Sequence, residues 1–286
     1  MKKRYISLFL GWVICFAQLK TSAQEFTEHL SKEFTVAAAR SVLAVYNING
    51  SVKVTGYSGN KIVIDVDKTI RAKTADELEK GKQEFRFEFG QRNDTVEAYI
   101  VEPEDSRPHQ HWHEDWRERR IRYWYKLEFT IKVPFNTNLC VSTVNDGNIQ
   151  VSDVAGLLDL SNVNGKISVQ AAKGTTDART VNGDITVDYT TVPADASSYS
   201  TVNGNLSVTY PSSLSADMEF KSLNGNFYTD FNEVETLPFK AVKSDDHEGG
   251  GTTYKLDKNS NFRFGKGGKL FRFETLNGNV YIKKQS

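Results

Sequence analysis

The sequence holds two cysteines and six prolines in 286 residues, and its 36 basic residues are balanced by 36 acidic ones. Each shortage excludes something. Cys15 falls inside an N-terminal apolar run, so loss of that run leaves Cys140 alone and forbids an internal disulfide. Cys140 lies in the apolar stretch Leu139 to Val141 and reads as a small buried hydrophobe; a catalytic thiol needs a nearby base and partial exposure. Balanced charge gives no electrostatic footprint for a nucleic acid. The sequence has no G-x-S-x-G elbow, no H-E-x-x-H and no phosphate-cradling glycine loop, so no common catalytic scaffold or cofactor is expected. No second run of 18 apolar residues follows the first, so no transmembrane segment is expected after it.

That first run reads as a processing segment. Lys2, Lys3 and Arg4 precede apolar residues from Tyr5 to Leu19, and Thr21-Ser22-Ala23 supplies small residues before Gln24. The order is that of a secretory signal peptide, with cleavage expected after Ala23. About 15 apolar residues fall short of the ~20 that span a bilayer. Trp12-Val13-Ile14 before Cys15 does not suit a lipoprotein signal, which needs a small residue there. Without Lys2, Lys3, Arg4 and Lys20 the chain keeps 32 basic against 36 acidic residues, a net of −4. Export to the periplasm, the outer-membrane periphery or the exterior follows as the expectation.

What the sequence does have is β-forming residues and a repeat. Val, Ile, Thr, Tyr and Phe recur throughout. Seven segments share the pattern V-N-G-x-I-x-V, with corner residues Asn49-Gly50, Asn145 and Gly147, Asn164-Gly165, Asn182-Gly183, Asn203-Gly204, Asn224-Gly225 and Asn277-Gly278. From Gly147 to Gly225 the spacings are 18, 18, 21 and 21. The second residue after each glycine is always apolar: Val52, Ile149, Ile167, Ile185, Leu206, Phe227 and Val280. The fourth is Val, Thr or Ile, and polar or amphipathic residues lie between, as in a strand with one buried face. Asn-Gly supplies the corner, where both residues tolerate positive φ, and Asp146 adds one residue to the second corner as a bulge.

Alternating strands around Asn-Gly also describe a hairpin meander. A β-solenoid accounts for more, because stacking coils place like residue on like and let the corner asparagines form a hydrogen-bonded ladder. The fold class expected is therefore all-β, a parallel β-solenoid of 18–21-residue coils. One coil buries about four aliphatics at ~1.5–3 kcal/mol each, against ~1–2 kcal/mol per ordered residue, so no coil stands alone.

Between the first two copies, Lys61 to Val66, Glu84 to Phe89, Thr95 to Val101 and Arg122 to Val133 read as strands. Thr74-Ala75-Asp76-Glu77 resembles a capping box that opens a short helix to about Gly81. These elements are expected as a flanking sheet that caps the N-terminal end. The expected organisation is a signal peptide at 1–23, first repeat and capping sheet at 24–135 with a charged and aromatic insertion at 102–122, and solenoid repeats at 136–286. From Pro238 to Lys269 the pattern lapses, with a Gly-rich loop around Asp245 to Gly251. The last copy then closes the chain, with Lys283 and Lys284 blunting the final edge.

The run Leu127 to Val151, L-E-F-T-I-K-V-P-F-N-T-N-L-C-V-S-T-V-N-D-G-N-I-Q-V, resembles the central signature of the DUF4097 family of adhesin-like proteins. That signature is a strand ending in V-P, a short polar turn, then V-x-x-x-N-G-x-V-x-V. The later copies and the closing L-F-R-F-E-T-L-N-G-N-V-Y-I are similar to it too, so the resemblance covers roughly residues 40–286. It implies a β-solenoid at the bacterial cell envelope, adhesin-like by fold analogy. The insertion at 102–122 and the gap before the last copy depart from the pattern. The leader, ending in S-A-Q, is similar to those of Bacteroidetes exports.

Two features could carry chemistry. His109, His111 and His113 share one face of an extended strand, with Glu114 or Asp115 able to add an oxygen ligand; the alternative is a solvated hairpin tip between Pro108 and the charges of Arg117 to Arg120. Trp112, Trp116, Tyr123, Trp124 and Tyr125, interleaved with arginines, suit a glycan, peptide or protein partner; alternatively Tyr123 and Tyr125 simply pack on one side of a strand. Asp184 and Asp188 are scattered acids without evident partners on neighbouring coils. The leading reading is a non-enzymatic, exported interaction surface in the envelope, with an unknown protein or glycan partner. Its rivals are an envelope-stress or signalling accessory that binds a lipid, peptide or protein through the flanking sheet, and a carbohydrate-active enzyme with converging carboxylates.

Overall fold

Strands of alternating burial, each followed by a tight corner, leave the chain one economical packing: each unit lies flat on the one before. The computed structural model describes residues 23–37, 41–108, 121–238, 241–245, 252–256 and 260–286. The first described strand, β1 (Gln24–Thr35), precedes a coil made by β2 (Val42–Tyr46) and β3 (Val52–Tyr57). An excursion follows through β4 (Lys61–Ala72), the helix α1 (Ala75–Glu84), β5 (Arg86–Arg92), β6 (Thr95–Glu102) and β7 (Tyr123–Pro134). Coils resume with β8 (Asn138–Ser142) and β9 (Ile149–Ser152), then β10 (Leu158–Ser161) and β11 (Ile167–Ala172). Next are β12 (Thr176–Arg179) with β13 (Ile185–Tyr189), β14 (Ser198–Asn203) with β15 (Leu206–Tyr210), and β16 (Ala216–Asn224) with β17 (Phe227–Thr229). After β18 (Val234–Leu237), β19 (Ala241–Asp245), β20 (Thr252–Leu256) and β21 (Ser260–Phe264) comes the coil of β22 (Leu270–Asn277) and β23 (Val280–Lys284).

The coils build two facing sheets. One runs β1-β4-β7-β3-β9-β11-β13-β15-β23-β17; the other runs β18-β21-β16-β22-β14-β12-β10-β8-β2-β6-β5. Neighbouring coils pair in parallel with like residues opposed, as Ile149, Ile167, Ile185 and Leu206 show. This is a β-solenoid, and a meander is excluded by those parallel ladders. The flanking strands cap its N-terminal end by continuing both sheets: β4 and β1 add antiparallel beside β7, and β5 adds antiparallel beside β6. β6 and β7 themselves lie parallel on β2 and β3, so they form one further coil that lacks the Asn-Gly corner. The helix begins where Thr74 Oγ1 accepts the Glu77 N–H at 3.2 Å, and it runs past Gly81 to Glu84.

The repeat unit is consumed by its own stacking. Asn164, Asn182 and Asn203 each pass an Nδ2 donor to the Oδ1 of the asparagine one coil back, at 2.8 Å, starting on Asn145. Asn277 and Asn224 continue the ladder. Three residues before four of the glycines, and four before Gly147 because of the added Asp146, a buried or part-buried hydroxyl or amide donates to a glycine carbonyl of the preceding coil: Thr143 to Gly50, Asn162 to Gly147, Thr180 to Gly165, Thr201 to Gly183 and Thr275 to Gly204. A third ladder starts one residue after the glycine. There the oxygens of Asn148, Asp184, Asn205 and Asn279 accept the backbone N–H of Lys166, Asn205, Asn279 and Asn226. Asp184 also pairs with Lys166 at 3.3 Å, so it is a rung with partners on both sides and not a scattered acid.

Positive φ is not the general reason for the corner glycines. Gly50 has it, at +115°, and so does the added residue Asp146, at +56°, but Gly165, Gly183 and Gly204 do not. A Cβ on any of those three would sit well under 3.0 Å from the glycine carbonyl one coil back. Close approach selects glycine here.

Two further expectations change. Cys140 is half-buried on the outer face of its strand, with its Sγ 3.8 Å from the Tyr46 hydroxyl, because Leu139 and Val141 take the inward positions; burial raises its pKa. The last copy in the sequence is not the last in the stack. β23 lies between β15 and β17, and β22 lies between β14 and β16. Lys283 and Lys284 therefore flank an interior strand and blunt no edge; the Lys284 N–H donates to Asp230. Among the described residues, the terminal strand at the far end of this sheet is β17.

The core between the sheets is aliphatic through the middle coils and aromatic towards the far end. Tyr189 and Tyr210 stack at 5.2 Å, and Tyr199, Phe273 and Phe220 form a second column at 4.9 and 5.0 Å. The three fully buried phenols satisfy one another: Tyr199 lies 2.7 Å from Tyr189 and 3.5 Å from Tyr210, oxygen to oxygen. Burial raises the pKa of all three.

Candidate functional site

A concavity of about 770 Å³ opens in the N-terminal cap, lined by Arg71, Lys73, Glu77, Ile121, Arg122 and Trp124 among others. Strand alternation decides who faces it. β4 opposes β7 with Ile70, Arg71 and Ala72 against Tyr125, Trp124 and Tyr123. Tyr123 and Tyr125 turn inward and are buried; Tyr125 meets Phe85 at 4.6 Å between ring centres, and burial raises its phenol pKa. Trp124 turns outward. The Arg71 guanidinium lies 5.3 Å from the centre of its ring, held from the far side by Glu25 at 2.8 Å. Such a pair is worth about 0.5–1 kcal/mol when exposed and more when a ligand excludes water.

The helix fixes the other wall. Gly81 packs against the Tyr123 ring so closely that a Cβ would fall under 3.0 Å from it, which brings the first turn of α1 to the rim. From that turn Glu77 reaches Arg122 at 3.8 Å. Among the described residues the lining thus carries three cations, Arg71, Lys73 and Arg122, and one carboxylate, which is engaged with Arg122.

Of the described aromatic residues singled out in the sequence, Tyr123 and Trp124 line this groove, and of the two Trp124 is the one that turns outward. Trp112 and Trp116 lie outside the described residues, as do His109, His111 and His113. Among the described residues no cluster of three or more His, Cys, Asp or Glu side chains is arranged to hold a metal ion. The corner asparagines and glycines are not among the residues that line it. A smaller cavity of about 420 Å³ around Tyr57, Pro134 and Phe135 has no charged lining residue.

On the outer face of the cap, His29 Nδ1 lies 2.8 Å from Asp67 and its Nε2 lies 3.9 Å from Asp65. The hydrogen bond to Asp67 raises the histidine pKa, with smaller help from the charges of Asp67 and Asp65 against a small desolvation. Protonation therefore binds more tightly in the folded chain. The stabilisation is complete below the unfolded value of about 6.5 and fades as pH rises through the folded one. An NMR titration of His29 is expected to show a midpoint above 6.5 that returns towards it in Asp67→Asn; an unchanged midpoint in the variant would contradict the pairing.

The signature strand β7, the parallel coils and the repeated corner together specify one family. Residues 120–260 match the Toastrack DUF4097 family. The Toastrack match takes in Trp124 and the coils from β8 to β17, and it ends before the coil of β22 and β23. Solved structures similar to this chain include a candidate cell-adhesion protein from Clostridium sporogenes, 10% identical, covering 90% of this chain and 100% of that one at a TM-score of 0.41. A candidate adhesin from Bacteroides fragilis is 11% identical over 90% of this chain and 97% of its own, at 0.39. A candidate lipid-binding protein from Parabacteroides distasonis is 8% identical over 90% and 97%, at 0.29. No curated protein matches the Toastrack chain. Among its described residues no helix is long and apolar enough to cross a membrane.

Proposed function

We propose that this protein is an exported, non-enzymatic binding module of the bacterial envelope, and that its contact site is the cap groove. The observation that carries this is the Arg71–Trp124 pair, an outward aromatic ring beside a fixed cation, with Lys73 and Arg122 on the same rim. An aromatic face stacks on the apolar side of a sugar ring, and arginine and lysine take up carboxylates. An acidic glycan meets both demands. The rigid two-sheet stack then serves as a stalk that holds the cap away from its point of attachment, which is the adhesin-like role.

The test is calorimetric titration of the chain with polygalacturonate oligomers, with a neutral glucan of the same length beside it. The acidic oligomer is expected to bind, and the neutral one to bind at least tenfold more weakly. Trp124→Ala and Arg122→Ala are each expected to cost about tenfold in affinity, on the order of 1.4 kcal/mol. Equal binding of both oligomers would sink the charge assignment, and unchanged affinity in Trp124→Ala would sink the groove itself.

A further inference from the structure

The residue before every corner asparagine is aliphatic and points away from the core. Val144, Val163 and Val181 accept, through their carbonyls, the N–H groups of Asn164, Asn182 and Asn203 on the next coil, so these residues stack in register. Val202, Leu276 and Leu223 continue the column, each held between a paired hydroxyl residue and a paired asparagine. Of the eight large hydrophobic side chains exposed among the described residues, four belong to this column. Val181 and Val202 are 38% and 37% exposed, Leu276 is 43% and Leu223 is 72%. Scattered exposed aliphatics need no explanation, whereas a contiguous row of them marks a contact surface.

The column is one margin of the outer face of the sheet that holds β8, β10, β12, β14, β22 and β16. Two residues earlier on those strands stand Ser142, Ser161, Arg179, Ser200, Glu274 and Lys221, in that order of coils. Two residues earlier again stand Cys140, Asp159, Asp177, Ser198, Arg272 and Glu219. The side chains of Asp159, Asp177 and Arg179 are each about half exposed, so the middle of the face is open.

We propose that this face is a dimer interface, and that its partner is a second copy of the chain laid antiparallel across it. A two-fold axis along the strand direction, passing between Val181 and Val202, lays each row on itself in reverse order. In the aliphatic row Val181 of one copy meets Val202 of the other, and Val163 meets Leu276. The low ridge of one copy, towards Val144, receives the high ridge of the other, towards Leu223. In the second row Ser142, Ser161 and Ser200 meet Lys221, Glu274 and Arg179, so every charged group faces a hydroxyl. In the third row Asp159 meets Arg272, Asp177 meets Ser198 and Cys140 meets Glu219. No like charges are opposed, which is the complementarity that fixes register between partners.

Other placements lose this match. With the axis moved onto Val181, Arg179 and Asp177 would each face themselves, and with it on Val202, Asp159 would face Glu219. With the axis along the stack the copies would run parallel, and only the aliphatic column could overlap. Six coils at ~4.8 Å and three rows ~7 Å apart give a patch of about 30 Å by 20 Å. That is roughly 600 Å² per copy, the lower bound for a specific pair, so a reversible dimer is expected.

The experiment has two arms. Sedimentation velocity of the chain from about 1 to 300 µM is expected to show a monomer–dimer equilibrium. The variant Val181→Ser/Val202→Ser/Leu276→Ser is expected to weaken it about tenfold or more. A monomer at every concentration, or a dimer that the variant leaves unchanged, overturns the proposal. The second arm does not depend on how that variant folds. Two chains in a Cys140→Ser background carry Val163→Cys and Leu276→Cys separately and are mixed under mild oxidation. These positions meet across the axis, so a disulfide-linked heterodimer is expected. A Leu276→Cys chain that links chiefly to itself, or the absence of any linked product, overturns the antiparallel pairing.

Discussion

Replacing Gly183 with alanine is expected to destabilise the chain by about 3–5 kcal/mol, seen as a large fall in the urea midpoint. The added methyl has nowhere to go, since its position lies well under 3.0 Å from the Gly165 carbonyl. That carbonyl is backbone and already accepts from Thr180 Oγ1 at 3.0 Å. Moving the coils apart would break the Asn182–Asn164 rung at 2.8 Å and strain the Gly183 N–H bond to Asn203. Overpacking costs about 1–3 kcal/mol, and each lost hydrogen bond about 1 more. Val181→Ser is the control, because that side chain points to solvent one corner position away and should shift the midpoint little. If Gly183→Ala behaves like the control, stacking is not what selects glycine at these corners.

Removing residues 270–286 is expected to cost more. Phe271, Phe273, Val280 and Ile282 are each 1% exposed or less, and burying four such side chains is worth about 6–12 kcal/mol. That rivals the whole stability of an ordinary domain, about 5–15 kcal/mol. The damage is also internal. If the last copy in the sequence were the last in the stack, its removal would shorten the molecule by one coil. As the coils actually lie, removal leaves the coil of β16 and β17 without its inner neighbour and strips Phe273 from between Tyr199 and Phe220. Hydrogen exchange should therefore show amide protection lost across 198–229 and retained across 138–187, since stacked repeats depend mainly on nearest neighbours. Wild-type protection over 216–229 would show that β16 and β17 restack directly on β14 and β15.

Legibility tracks how local each interaction is. The solenoid was readable because identical offsets around seven glycines have a stacking explanation and no hairpin one. The asparagine ladder followed from that, and the threonine three residues before the glycine was visible in most copies without its role. The rung after the glycine was written in Asn148, Asp184, Asn205, Asn226 and Asn279, but Ser51 and Lys166 blurred the column. Insertion of the last coil between two earlier ones could not be read, because every unit has the same grammar and fits any slot. What decides the slot is non-local: the aromatic column Tyr199, Phe273, Phe220, and the clasp of Ser215 on the Gly267 carbonyl at 2.8 Å. The cap groove was half readable. The aromatic strand was plain, but which of Tyr123, Trp124 and Tyr125 faces out depends on its antiparallel register with β4, a partner some fifty residues earlier.

The corner amides have a direction. From Asn145 through Asn164, Asn182, Asn203 and Asn277 to Asn224, every rung points its N–H towards the cap and its oxygen away. Six carboxamides aligned in one sense add their dipoles as peptide units do along a helix. One end of the molecule therefore bears a partial positive charge and the other a partial negative one, without a single ionised group in the row. A filament or dimer that buries the far end must bring donors to it, and two far ends meeting face to face would oppose like poles. Copies laid end to end would meet unlike poles head to tail and like poles head to head.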